Sequence, residues 1–169
     1  MEAVADNRAG STAIIALTMA AGMVLAVMPL PGSVPPELGY LRPDWVVMVL
    51  IYWIIALPHR VGIVTAWGTG LIVDVLLGSL LGQHALAYIV IAYVASSLYQ
   101  RLRMFTVWQQ ALVVFAMLGM NRLIIFWTES IAGLAQWNMW YLLPAVSGAL
   151  LWPVVFLMLR AMRRKLNVS

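Results

Sequence analysis

Apolar runs of 14 to 22 residues, parted by short polar, basic or glycine–proline breaks, set the layout of this chain. Six are legible, over 11–28, 44–57, 61–77, 85–99, 107–128 and 139–159, and each predicts a transmembrane helix. The second is short: 14 residues at ~1.5 Å each reach ~21 Å, against a ~30 Å hydrocarbon core. It must draw on flanking residues, sit in a thinned bilayer or be sheltered by neighbours. Pro43 is placed as its first helical residue, with Trp45, Tyr52 and Trp53 as interfacial anchors. Pro144 and Pro153 fall inside the sixth run and predict bends there.

The breaks have their own character. The segment 29–44 carries five prolines and two glycines and reads as a structured loop. A cleaved signal peptide at the start would need a small-x-small site after the first run, and no clear one follows. The expected architecture is therefore an all-α membrane protein with one six-helix domain over 11–160. A short N-terminal tail, 1–10, and a basic tail, 161–169, flank it.

Composition supports the same class. Of 169 residues 64% are hydrophobic and 9% charged, and mean hydropathy is +0.95, whereas soluble domains carry about a quarter charged residues. With no cysteine, disulfide and thiolate chemistry are excluded. The two histidines, His59 and His84, are 25 residues apart in different breaks, a poor spacing for a metal. A pI near 9.9 raises nucleic acid as a partner, but the cations sit at run ends as orientation signals do. Arg8, Arg60, Arg101, Arg103, Arg160, Arg163, Arg164 and Lys165 fall on the side of the termini, and only Arg42 lies in an opposite loop. That asymmetry predicts both termini in the cytoplasm.

Candidate chemistry gathers toward the external ends of the runs. Asp74 is an acid in an apolar run, framed by Gly70 and Gly78, and such a carboxylate needs a partner, water or a proton. Arg122 interrupts the fifth run, Arg42 and Asp44 open the second, His84 opens the fourth and Glu129 closes the fifth. An outward-facing polar cluster between these ends is expected. Two readings stay open for its members. Asp74 pairs with Arg122, or Arg122 snorkels to headgroups or Glu129 while Asp74 is protonated or hydrated. Gly70, Asp74 and Gly78 share one helical face, where small residues allow a close backbone approach. Pro58-His59-Arg60 makes a tight cytoplasmic turn that fixes topology or meets a partner or headgroups. The basic tail would bind anionic lipid. Trp108, Trp137 and Trp140 fit an aromatic belt.

Catalytic signals are weak. Ser96 and Ser97 have no nearby histidine, and no phosphate loop or metal motif is present. A non-enzymatic role without a cofactor is the expectation.

Several stretches together are specific: Arg42-Pro43-Asp44, the Ala56-Leu57-Pro58-His59-Arg60 turn, Asp74-x-x-x-Gly78-x-x-x-Gly82, Trp108-Gln109-Gln110-Ala111-Leu112 and Leu151-Trp152-Pro153. In them the chain resembles the proteobacterial form of the rod shape-determining MreD family, over nearly its whole length. The resemblance implies a scaffold in the elongation machinery for lateral peptidoglycan synthesis. MreC is the implied direct partner, with MreB, RodA and an elongation penicillin-binding protein reached directly or at one remove. It also implies a bundle similar to the substrate-binding subunit of energy-coupling-factor transporters. The competing class is a small-molecule or lipid-binding membrane component with an outward cavity lined by Asp74, Arg122 and aromatic side chains. Arg42, Asp44, Pro58, His59, Arg60, Gly70, Asp74, Gly78, Gly82 and Arg122 are the candidate partner-binding or architectural residues. A homodimer is left open.

Overall fold

The computed structural model describes residues 2–29, 39, 41–135 and 138–166. Six α-helices account for most of them: α1 (Glu2–Val27), α2 (Trp45–Ala56), α3 (Ile63–Leu77), α4 (Gln83–Met104), α5 (Val107–Ile131) and α6 (Leu143–Lys165). A 3₁₀ turn, Met139–Leu142, leads into α6. The proline-rich loop is outside the described residues from 30 to 38 and at 40, as is Trp137 of the expected belt.

The expected all-helical membrane class holds. Four helices contain stretches long and apolar enough to cross a membrane: Gly10–Val27, Gln83–Met104, Val107–Ile131 and Trp140–Lys165. The other two, α2 and α3, have 12 and 15 residues, or roughly 18 and 22 Å of axis.

The short α2 is the centre of the packing. From Val46 to Ala56 every residue is buried, because α1, α4 and α6 lie around it with α5 beside its start. Helices that are apolar all round belong in an interior. Of the three ways a short run can be accommodated, shelter by neighbours is the one seen. Tyr52 and Trp53 are consequently not interfacial anchors, since they are 2% and 0% exposed. Their rings pack edge-on at 5.2 Å, and Trp53 Nε1 donates to Thr18 Oγ1 of α1 at 2.8 Å. The tryptophans that face outward are Trp67, Trp108, Trp127 and Trp140.

Charged residues from other helices close both ends of α2. Its last carbonyls have no intrahelical donors, and Arg103 of α4 supplies them, Nε to Ile55 O and Nη2 to Ala56 O, both at 2.8 Å. A cation there also complements the negative end of the helix dipole. At the other end Asp44 is the N-cap position, without a side-chain cap bond. Pro43 thus precedes the cap instead of opening the helix, and its carbonyl accepts the Trp45 N–H at 2.9 Å.

Helix α3 packs chiefly on α4, and α5 on α6. Pro144 sits in the first turn of α6, where its missing donor disturbs nothing, so only Pro153 lies inside that helix. Gln110 links three elements, donating to Leu102 O at 2.8 Å and accepting from the buried Trp152 Nε1 at 3.3 Å. Thr106 and Gln109 form a capping box that starts α5 sharply after α4.

Candidate functional site

Asp74 lies one turn before the end of α3, where the chain must reverse into α4 over five residues. Gly78 takes the left-handed conformation at the α3 C-terminus (φ +62°) and Gly82 does so just before α4 (φ +95°). Side chains with a Cβ pay about 1–2 kcal/mol in that region. The reversal carries four donors back to the Asp74 carboxylate. Ser79 Oγ donates to Oδ1 at 2.9 Å, Gly82 N–H to Oδ2 at 2.8 Å and His84 N–H to Oδ1 at 2.9 Å. His84 Nδ1 also lies 2.8 Å from Oδ1. The Asp74 side chain is 0% exposed.

The expected Asp74–Arg122 pair is therefore not formed. Asp74 is occupied by the α3–α4 turn, and Arg122 Nη2 reaches Asp44 Oδ1 in a 2.6 Å contact. The sign of each charge suited the other, but the turn places donors on Asp74 before a distant arginine can reach it. Glu129, the protein acceptor weighed for Arg122, accepts instead from Gln83 Nε2 at 3.1 Å. Asn121, 1% exposed, directs Nδ2 to Asp44 Oδ2 at 3.4 Å.

The two glycines on the Asp74 face have different reasons. A Cβ on Gly70 would stand 2.4 Å from Ala85 Cα, so α3 and α4 meet there backbone to backbone. A Cβ on Gly78 would touch nothing within 4 Å, and its requirement is the positive φ alone. The close-packing groove expected along this face is filled by the chain's own α4.

Between the Asp74 turn and the Asp44–Arg122 pair lies a cavity of about 250 Å³. Arg42, Asp44, Arg122, His84, Tyr88 and Tyr141 give it polar walls, and Trp45, Val46, Val73 and Leu77 apolar ones. Arg42, Asp44, His84 and Arg122 of the expected cluster thus share one space, and Asp74 backs it through His84. The Arg122 guanidinium also lies 6.0 Å from the Tyr141 ring centroid. Pro58, His59 and Arg60 are at the opposite end of α3, with His59 exposed. Arg60 N–H donates to Leu57 O at 3.0 Å in the tight turn.

Three contributors escaped the sequence reading. Ser79 had a local signal, a hydroxyl in a glycine-bounded turn just after the acid. Tyr141 lies at the start of the sixth run, in the 3₁₀ turn before α6, where nothing local marks it as facing the cavity. Arg103 read as an orientation charge, since nothing local shows that it reaches residues 47 and 48 positions earlier. Among the described residues no group of three or more His, Cys, Asp or Glu is placed to hold a metal.

Comparison with known proteins adds the lineage. No solved structure matches. The rod shape-determining protein MreD of Haemophilus influenzae is 39% identical over 134 residues, covering 79% of this chain and 83% of the relative. The model of the family described as rod shape-determining protein MreD matches residues 7–162. A match over that share of the sequence, on an all-helical membrane bundle, places this chain in the MreD family.

Proposed function

We propose that this chain is a non-enzymatic scaffold in the bacterial inner membrane, binding MreC and so regulating lateral peptidoglycan synthesis and rod shape. In this role both termini face the cytoplasm, and the polar cavity faces outward. MreB, RodA and an elongation penicillin-binding protein are engaged directly or through MreC. Family membership gives the involvement in rod shape. The observation that carries the scaffold role is the buried α2, held at both ends by Arg103 and Arg122 from other helices. Such an arrangement resists hinge motion and presents fixed outer faces to a partner helix. The charge distribution over the breaks supports the orientation.

The partner surface must lie on an outer face, because α2 is enclosed and the Gly70 face is occupied by α4. Photo-cross-linkers at exposed Val64, Val75, Leu112 and Leu123 test this in membranes containing MreC. At least one of these positions should capture MreC, while a cross-linker at buried Ile51 should not. Failure of detergent co-purification together with silence at every exposed position would overturn the proposal.

A further inference from the structure

The polar cavity adjoins a second, mostly apolar space. Helix α1 leans mainly on α2 and only lightly on α3. The seam between α1 and α3 opens as a groove of about 800 Å³ lined by Ile15, Ala16, Met19, Met23 and Ile72, with three threonines, and with Arg60 at the end away from the polar cavity. Both spaces border α1 and α3. Met23 of the groove is one helical turn from Ala26 of the polar cavity, and Thr69 is one turn from Val73. Ile72 and Leu77 are 52% and 46% exposed, so the seam is open at its flank to the surrounding lipid.

The polar end is suited to an anion. Arg42 and Arg122 outweigh the single carboxylate of Asp44 among the charged side chains lining it. The α2 N-terminus, which has no side-chain cap, adds the positive end of its dipole through Trp45 and Val46. Asp44 occupies Nη2 of Arg122, whereas Nε of the same guanidinium is buried without a protein acceptor. A buried donor of that kind calls for an acceptor from elsewhere. Arg42 makes no ion pair among the described residues.

Size decides the kind of ligand. The polar cavity is smaller than the ~300–1,000 Å³ typical of small-molecule sites, so it takes a head group instead of a whole metabolite. The groove below it is mostly apolar and open to the bilayer, as an acyl chain requires. Depth agrees as well. Arg122 stands ~22 Å along α5 from Val107, within reach of the far boundary of a ~30 Å core.

We infer that the α1–α3 seam is a binding site for one phosphate-headed lipid. The phosphate accepts from Arg122 Nε and Arg42, and an acyl chain lies in the groove beside Ala16, Ala20 and Ile72. This site is independent of the scaffold role, because it requires no MreC.

Native mass spectrometry of the delipidated full chain in detergent tests it, with phosphatidylglycerol, diacylglycerol and inorganic phosphate as probes. Phosphatidylglycerol should be retained at least ten-fold better than diacylglycerol, and millimolar inorganic phosphate should not displace it. Arg42→Gln should lower retention at least five-fold at the head, and Ala20→Trp should do the same by filling the groove. Both variants must keep the parent's gel-filtration profile, which is expected because Arg42 has no ion pair among the described residues and Ala20 is exposed. If either misfolds, Arg42→Met and Ile72→Trp take their places. Equal retention of the two lipids, loss in only one of the two variants, or displacement by inorganic phosphate would each overturn the two-part lipid site.

Discussion

A carboxylate in an apolar helix needs several donors at once, and Asp74 obtains them from its own chain within ten residues. Asp74→Ala leaves the N–H groups of Gly82 and His84 without their acceptor at the turn. Hydrogen bonds between helices in a bilayer average under 1 kcal/mol and reach about 2, and several are lost here together. A destabilisation of about 2–4 kcal/mol is expected, measurable as a lower thermal midpoint in detergent. Asp74→Asn should lie between, since its amide keeps one acceptor oxygen but turns a donor toward another donor. A midpoint unchanged in both variants would show that the turn holds without its carboxylate. Asp44 and Arg122 are a different case, because they join segments 78 positions apart. Their coupling can be isolated with Asp44→Asn, Arg122→Gln and the double variant. About 1–2 kcal/mol of coupling is expected, and additivity of the two single effects would mean that the contact contributes nothing. The same cycle between Asp74 and Arg122 should return no coupling.

At the scale of elements, the helices were legible because apolar runs and basic breaks mark them, while their packing partners were not. The run at 44–57 revealed its short length, but its burial on all sides depends on four other helices. Trp53 looked like an anchor because an indole has an apolar body and a polar tip. Only the structure supplies Thr18 as the buried acceptor that lets it go inside. The glycines at 70 and 78 gave one signal in sequence for two causes. Gly70→Ala pushes a Cβ against backbone at Ala85 and should separate α3 from α4, at about 1–3 kcal/mol. Gly78→Ala meets open space and should cost about 1–2 kcal/mol through φ alone. The two are distinguishable because Gly78→Asn should recover part of the loss, asparagine tolerating the left-handed region, whereas Gly70→Asn should be worse than Gly70→Ala. Arg103→Ala exposes the same logic at the end of α2, where two carbonyls lose their donors. Cross-linking or thermal data that rank Arg103→Ala with Arg101→Ala would show that the cap is immaterial.

For the whole molecule, charge placement speaks to orientation and packing speaks to what each end contains. The bundle has one end bearing Asp44, His84, Arg122 and the Asp74 turn, and another bearing the Pro58–Arg60 turn and Arg103. That division follows from contacts and does not depend on any membrane. The loop cations add an expected direction: the bias of basic breaks predicts the Arg60 end in the cytoplasm. The absence of native cysteine makes this directly measurable. Single cysteines at His59 and Leu134 are both exposed positions outside the helices, at opposite ends of the bundle. In intact inner-membrane-exposed cells, an impermeant maleimide should label the Leu134 variant and spare the His59 variant until the membrane is opened. The reverse pattern would turn the molecule over, moving the polar cavity to the cytoplasmic side and with it the leaflet from which a phosphate-headed lipid enters. A cysteine at Ile51, in the enclosed α2, should resist labelling under both conditions until the bundle is denatured. That third position separates true shelter from mere depth in the bilayer, because detergent removes the lipid but leaves the surrounding helices in place.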